Sequence, residues 1–396
     1  MKKYKLPKGF LANGIHCGSK KKRKDLSLIY SEKPCKIAAI FTRNAVKAAP
    51  VTLAQEQLKR NGKVSAVVIN SGNANCMTGK RGLEDAKKMT QVMADILDLD
   101  QDEVLVSSTG IIGEALDLGP IKKGMKEIVK GLSPYGTIDA ADGIMTTDKF
   151  RKIAARKFTL GGKEISIVGI AKGAGMIKPN MATMLCYILT DANISAAALK
   201  KVLNKSAEQS FNAVSVDGDM STNDTVMFLA NGRAGNKIIG EKGKGIEKFS
   251  KNLNSIAHEL AKMIVLDGEG AEKFIEVHVK KAKTAGDAKK VSEAIASSLL
   301  VKCAVLGGDP NWGRIASSAG ASGVKFDPEK MEISLDGVTF FKNGKTVKRV
   351  NRKSSSVFKG KEVKIEVVLN TGKMEAKFFS CDISKKYITL NSYYTT

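Results

Sequence analysis

Histidine is scarce in this chain, with three in 396 residues, and none stands in a pattern that suggests a nucleophile–base–acid triad. His16 sits in a turn-rich N-terminal segment, and His258 lies among the apolar positions of an amphipathic stretch. His278 falls on the polar face of the alternating run FIEVHVKKA. A histidine-based mechanism is therefore disfavoured. The six cysteines, Cys17, Cys35, Cys76, Cys186, Cys303 and Cys381, are scattered, with no Cys-x-x-Cys pair and no Cys/His spacing of a zinc site. They read as reduced and structural, and no metal is expected. Apolar runs such as MLCYIL and SSLLV are far too short to span a bilayer. The N-terminal MKKYKLPKGFLANGIHCGS has no apolar core of signal-peptide length, so a cytoplasmic protein without a membrane partner is expected. Internal repeats and low-complexity tracts are missing as well.

Acidic residues are outnumbered. Lysine and arginine total 65 against 40 aspartates and glutamates, a net charge of +25. Such an excess favours anionic partners and raises the class of basic nucleic-acid-binding proteins. The lysines are nevertheless spread along the whole chain, and aromatic residues, 6% of the total, do not interleave with them as stacking platforms would. A lysine-rich solvated surface is the simpler reading, with no nucleic-acid partner. The one basic block, KKKRK at 20–24, is bracketed by Gly18 and Asp25 and reads as a hairpin loop.

Strand and helix periodicities alternate along the chain. VSAVVINSG (64–72) reads as a strand and is followed by helical spacing at Leu83, Ala86, Met89, Met93, Ile96 and Leu97. DEVLVSSTGIIGEAL repeats the strand-then-turn theme and turns helical at its end. Ser195 is a plausible N-cap for a helix carrying Leu199, Val202, Leu203 and Phe211. A longer helix is expected over 245–265, with Ile246, Phe249, Leu253, Ile256, Leu260 and Ile264 in register. From about residue 323 alternating segments such as MEISLDG and VKIEVVLN read as antiparallel strands. The class is α/β or α+β with layered sheets, and KKAKTAGDAKK suggests a domain boundary near residue 285.

Three polar segments invite functional readings. KGAGMIKPN is glycine-rich but fails the spacing of a phosphate-binding loop. VSVDGDMSTNDTV (214–226) gathers Asp217, Asp219 and Asp224, yet it lacks the spacing and the closing glutamate of a calcium loop, and a turn held by Asx hydrogen bonds fits better. LGGDPNWGRIA holds the one tryptophan, Trp312, in a rigid packed turn.

A fourth segment, AKGAGMIKPNMATMLCYILTDA (171–192), runs from a Gly/Lys/Pro loop into an apolar strand that opens at Thr183. A β-branched residue opening a strand is ordinary. The alternative is specific: a threonine can be activated by its own α-amino group if the chain is cut just before it. That amine titrates near ~8 and can take the hydroxyl proton at neutral pH, so no histidine is needed.

KGAGMIKPNMATML resembles the self-cleavage and nucleophile segment of the ornithine acetyltransferase family, whose members also act as glutamate N-acetyltransferases in arginine biosynthesis. GFLANGI, FTRNAVKAAPV, VINSGNANCMTG, SSTGIIG, IMTTDK, SFNAVSVDGDMSTNDTV, DGEGAEKFI, GGDPNWGRIASSAG and NSYYTT resemble the family's other segments in the same order, over nearly the whole chain. The resemblance implies an α/β layered sandwich like that of N-terminal-nucleophile enzymes, of different connectivity, with a second α/β domain. It implies self-cleavage between Ala182 and Thr183 into an α chain of 1–182 and a β chain of 183–396, assembling as α2β2. Residues 183–285 would complete the catalytic sandwich, and 286–396 would form the C-terminal domain whose end returns to the site. Thr183 would be the nucleophile, with Thr109 and Gly110 as oxyanion hole. Thr146, Lys172, Thr183, Glu269, Asn391 and Thr396 would bind substrate, the choice between Thr146 and Thr147 staying open. From the residues alone, Lys172 reads as a loop lysine and Glu269 as a turn acid. The substrates implied are N2-acetylornithine and L-glutamate. No cofactor is implied, and acetyl-CoA would enter only as a second acetyl donor that separates bifunctional from monofunctional members. An amide-cleaving hydrolase using the same threonine, and a basic nucleic-acid-binding protein, are the alternatives.

Overall fold

The computed structural model describes residues 4–178, 184–347 and 357–393. Ala182, Thr183 and Thr396 lie outside the described residues.

The first sheet contains β1 (Phe10–Ile15), β2 (Leu26–Phe41), β3 (Lys63–Asn73), β4 (Val104–Ile111), β5 (Lys152–Leu160), β6 (Lys163–Lys172), β7 (Leu185–Thr190) and β9 (Thr225–Ala230). Its order is β4-β3-β2-β9-β7-β6-β5, with β1 paired to β2. The 16-residue β2 serves both halves: Leu26–Tyr30 pair with β3, the register breaks between Tyr30 and Cys35, and Lys36–Phe41 pair with β9. Pro34 falls in that break, where a missing N–H costs no ladder bond. The sheet folds there into two facing leaves. Alternation shows it: Val67, Ile69 and Leu105 of one leaf share an inner core with Ile170, Tyr187 and Leu229 of the other, while Val68 and Val106 turn outward, as do Cys186, Ile188 and Phe228.

Helices cover both outer faces. On the first leaf lie α2 (Gly79–Leu97) and α3 (Leu118–Lys130), through Met89, Met93, Ile121 and Met125; α1 (Ala49–Arg60) packs beside them. On the second lie α5 (Ala196–Gln209) and α6 (Lys244–Leu266). In α6 every apolar position expected from its spacing, from Ile246 to Ile264, is buried, and Ser195 caps α5 by accepting the Ala198 N–H at 3.2 Å. Phe211 falls just beyond α5, in a short 3₁₀ turn. α4 (Thr137–Ile144) fills the mouth between the leaves with Ala140, Ala141 and Ile144. The result is the layered α/β sandwich expected. β7 is buried at all six positions, paired antiparallel with β6 and parallel with β9; a strand covered on both faces shows no alternation.

The second sheet, ordered β13-β12-β11-β14-β10-β15-β8, contains β8 (Val214–Ser215), β10 (Phe274–Ala282), β11 (Glu332–Leu335), β12 (Val338–Lys342), β13 (Lys345–Thr346), β14 (Glu362–Val368) and β15 (Met374–Cys381). Its core is closed by α7 (Ala285–Ser297), α8 (Leu299–Gly307) and α9 (Trp312–Gly320). Residue 285 opens α7, and the sheet draws β8 and β10 from ahead of it. Pairing is antiparallel except β10 with β14 and β15 with β8. Trp312 stacks on Phe341 with ring centroids 5.1 Å apart; the turn read from its segment ends at Asn311, which caps α9, so the tryptophan opens that helix rather than lying in the turn. His278 on β10 pairs with Glu375. After β15 the chain returns to the sandwich as α10 (Lys385–Tyr393). Among the described residues no helix is long and apolar enough to cross a membrane.

Candidate active site

A cavity opens where the two leaves meet, at the ends of β4 and β6. Thr109, Gly110, Thr146, Thr147, Lys172, Glu269 and Asn391 all line it. Topology thus unites segments of six sequence regions, including every expected site residue that the structure describes.

Thr109 and Gly110 lie just before the last residue of β4, Ile111. Thr109 is buried, and its hydroxyl oxygen accepts a hydrogen bond from Lys172 Nζ at 3.0 Å. With that lone pair occupied, the hydroxyl keeps its own proton for another acceptor. Gly110 has φ of 137°, and a Cβ there would stand 2.2 Å from the Gly72 carbonyl carbon on β3. No other residue fits so close an approach. The neighbouring Ser108 carbonyl is tied to Asn223 Nδ2 at 2.8 Å, and the same amide donates to the Ala74 carbonyl at 2.7 Å. This fixes the turn.

Lys172 is buried. Burial lowers its pKa, the Asp148 charge opposing. Asp148 is the hub of the lysine's surroundings: Oδ1 accepts the Gly173 N–H at 2.8 Å and Lys152 Nζ at 2.6 Å, and Oδ2 accepts the Thr146 N–H at 2.9 Å. Burial alone would push this carboxyl up, but Lys152 and Lys172 overcome it and hold it at about 2. Lys152 also reaches Asp267 Oδ2 at 2.5 Å. Asp148 and Lys152, from the TTDKFRK segment, and Asp267, at the C-cap of α6, escape a reading of the sequence because each looks like a loop or strand-end charge. Their partners come from three elements.

The opposite wall is acidic and hydrogen-bonding. Glu269 follows α6 by three residues. Its backbone N–H donates to the Ala174 carbonyl at 2.9 Å, and its Oε2 accepts from Asn391 Nδ2 at 3.1 Å. A Cβ on Gly175 would lie 2.4 Å from Glu269 Oε2, so the glycine makes room for the carboxylate. Asn391 also donates to the Tyr387 carbonyl at 3.0 Å, within α10. The C-terminal helix α10 thus reaches the cavity through Tyr387 and Asn391.

Asp217, Asp219 and Tyr387 line the cavity too, and the sequence did not single them out as site residues. The turn at 217–219 carries the expected Asx bond, Asp217 Oδ1 accepting the Asp219 N–H at 3.2 Å. Asp217 also accepts the N–H groups of Met176 at 2.5 Å and Ile177 at 2.8 Å. It thereby clamps the loop that leads towards Thr183. Met176 itself holds φ of 57°, the left-handed region. Burial pushes the Asp217 carboxyl up to about 6 against these N–H donors. On the far side of Thr183, the Met184 N–H donates to buried Asp224 Oδ1 at 2.9 Å. Burial raises the Asp224 pKa well above the carboxylate range.

A hydroxyl donor oriented by a buried cation, beside a glycine turn and across from a carboxylate, suits a carbonyl oxygen that gains charge while an amine end is held. That is acyl-transfer chemistry, and the chain is an acyltransferase. It belongs to the ArgJ family, which matches residues 11–396. It is 46% identical over 398 residues to the arginine biosynthesis bifunctional protein ArgJ of Caldanaerobacter subterraneus subsp. tengcongensis, covering 100% of this chain and 98% of that one. It is 46% identical over 401 residues to the glutamate N-acetyltransferase of Methanocaldococcus jannaschii, covering 98% of each. Among solved structures, the arginine biosynthesis bifunctional protein ArgJ of Bacillus halodurans is 41% identical, with a TM-score of 0.44 over 46% of this chain and 96% of that chain.

Proposed function

We propose that the chain is a glutamate N-acetyltransferase that moves the acetyl group of N2-acetylornithine to L-glutamate by way of an acetyl ester on Thr183. The observation that carries this is the Lys172–Thr109 hydrogen bond at 3.0 Å beside Gly110, on a cavity shared with Ala174, Gly175 and Met176. In the first half-reaction the Thr183 hydroxyl attacks the acetyl carbon, and its proton passes to the Thr183 α-amine. The C–N bond to ornithine breaks, and the leaving amine takes that proton. In the second, the amine of glutamate attacks the ester and the threonine oxygen regains a proton. Thr109 and Gly110 stabilise the oxyanion in both; one such donor is worth about 3 kcal/mol.

Glu269 meets the ornithine side-chain ammonium, with Asn391 orienting the carboxylate. Thr146, Lys172 and Thr396 serve the α-carboxylate and amide groups. The free α-amine of Thr183 requires a cut after Ala182, so the mature enzyme consists of chains 1–182 and 183–396, assembled as α2β2 in the cytoplasm. Acetyl-CoA is a second acetyl donor, its thioester C–S bond breaking in place of the amide bond and its thiol leaving with the proton. The relatives named as bifunctional support that extension.

Purified enzyme supplied with N2-acetylornithine and glutamate should yield ornithine and N-acetylglutamate in equal amounts. Acetate in place of acetylglutamate would mean a hydrolase. The N-terminal sequence of the second chain should read Thr-Met-Leu-Cys, and Thr183→Ala should stay in one piece and be inactive. An intact yet active wild-type chain would overturn the mechanism.

A further inference from the structure

The basic block at 20–24 is the hairpin loop between β1 and β2, but it is not simply solvated. Lys20 Nζ donates to the Met145 carbonyl at 2.5 Å and to its own loop at the Lys24 carbonyl. Arg23 Nη1 donates to the carbonyls of Thr146 at 3.2 Å and Asp148 at 3.1 Å. On its other side the loop lies on Gly72, where a Cβ would be 3.2 Å from both Lys20 Cγ and the Ser19 carbonyl oxygen. Gly72 is the residue packed against Gly110. The loop therefore rests on two segments that wall the active site.

Its charge is poorly neutralised. Asp25, buried at the loop's base, is spent on the backbone N–H groups of Cys17, Gly18 and Lys20. Lys24 pairs with Asp139, and Arg23, among the described residues, donates to carbonyl oxygens alone. Exposed Lys21 and Lys22 at the tip have no ion pair among the described residues. Burial first, and then the positive charge of Lys172, lowers Lys20 to about 8. A largely buried cation set beside other cations favours an anion nearby.

The cavity itself, of ≈ 150 Å³, is of a size for an amino-acid-sized group. A donor whose acetyl group hangs on a long neutral arm can place that group in the cavity and leave its phosphorylated end at the rim. We propose that the Lys20–Lys24 loop is the docking site for the phosphates of an acyl-coenzyme A donor, with Lys21 and Lys22 as the side chains that select it. N2-acetylornithine has no phosphate and would not use the loop. The inference rests on the acetyl-transfer reading above and goes beyond it by saying where the second donor is recognised.

The test is a paired substitution, Lys21→Ala with Lys22→Ala, in the mature enzyme. Initial rates with glutamate are measured for acetyl-CoA, for S-acetylpantetheine, which has the same arm and thioester but no phosphate, and for N2-acetylornithine. KM for acetyl-CoA should rise about 5- to 20-fold, the effect of removing two solvent-exposed lysine–phosphate pairs. S-Acetylpantetheine and N2-acetylornithine should keep their constants. Added salt should raise the wild-type KM for acetyl-CoA and have less effect on the variant. An unchanged KM for acetyl-CoA, or an equal loss with the phosphate-free thioester, overturns the proposal. So does a wild-type enzyme that uses N2-acetylornithine but no acetyl-CoA, which leaves acetyl transfer itself standing. Failure with N2-acetylornithine would instead sink the parent reading.

Discussion

Lys172 Nζ donates to Thr109 Oγ1 across 3.0 Å, and the bond joins β6 to β4, strands on opposite leaves of the folded sheet. A buried lysine needs acceptors, and the threonine hydroxyl is one of them. The consequence for chemistry is directional: the threonine proton is free for an oxyanion because the lysine already occupies its oxygen.

Lys172→Met therefore keeps most of the packing and removes the orientation. We expect kcat to fall about 100-fold, with Thr109→Ala falling by a similar factor and the double variant little worse than either. Thr109→Ser should restore most of the rate. Additive losses in the double variant would show that the two residues act separately.

Glu269 and Gly175 form a second coupled pair. Glu269→Gln should weaken use of N2-acetylornithine more than acceptance of glutamate, because only the former loses a charge-assisted hydrogen bond. Gly175→Ala should imitate it, since the added methyl would have to displace the carboxylate 2.4 Å away. Separate kcat/KM values for the two substrates decide the matter. Equal losses would mean that Glu269 shapes the pocket without reading the ammonium.

Asp217 gives the site a pH dependence. Its carboxyl, pushed up to about 6, accepts both the Met176 and Ile177 N–H groups when ionised. Protonation turns one oxygen into a donor and loosens the loop, so self-cleavage should slow as pH falls through about 6. Stability moves the other way: a folded-state pKa above the unfolded value of ~3.9 makes ionisation costly, and this group lowers stability as pH rises from about 4 to about 6. Asp217→Asn should remove both legs, measured as cleavage rate and as Tm against pH.

What could be read in the sequence divides along the range of the interactions. The helix at Lys244–Leu266 and the Ser195 cap depend on neighbours a few residues away, and both were legible. Thr109, Gly110, Lys172, Glu269 and Asn391 were legible only through resemblance to a family, since a turn glycine or a loop lysine carries no local mark of its partner. Asp217 was missed as a site residue. The N–H groups it accepts are 41 and 40 residues away, and an aspartate in an Asp/Gly-rich turn has a sufficient local explanation in its Asx bond. The folding of one sheet into two leaves was also illegible. It depends on a register break within β2, between Tyr30 and Cys35, that leaves no periodicity to detect.

The buried cluster of Lys152, Asp148 and Asp267 supports the last prediction. Lys152 Nζ lies 2.6 Å from Asp148 and 2.5 Å from Asp267, and all three side chains are inaccessible to solvent. Lys152→Met would leave two buried carboxyls without their cation, a loss of about 3–5 kcal/mol at neutral pH. Asp148, held at about 2 in the native enzyme, contributes stability that is complete above ~3.9 and disappears as pH falls through about 2. In the variant burial acts unopposed by Lys152, the carboxyls retain protons to higher pH, and stability should fall as pH rises from about 4 towards 7. The Tm gap between wild type and variant should therefore be wider at about pH 7 than at about pH 4. Activity should fall with it at neutral pH, because Asp148 also holds the N–H groups of Gly173 and Thr146. A gap of the same size at both pH values would place the loss in packing, with the charges contributing nothing.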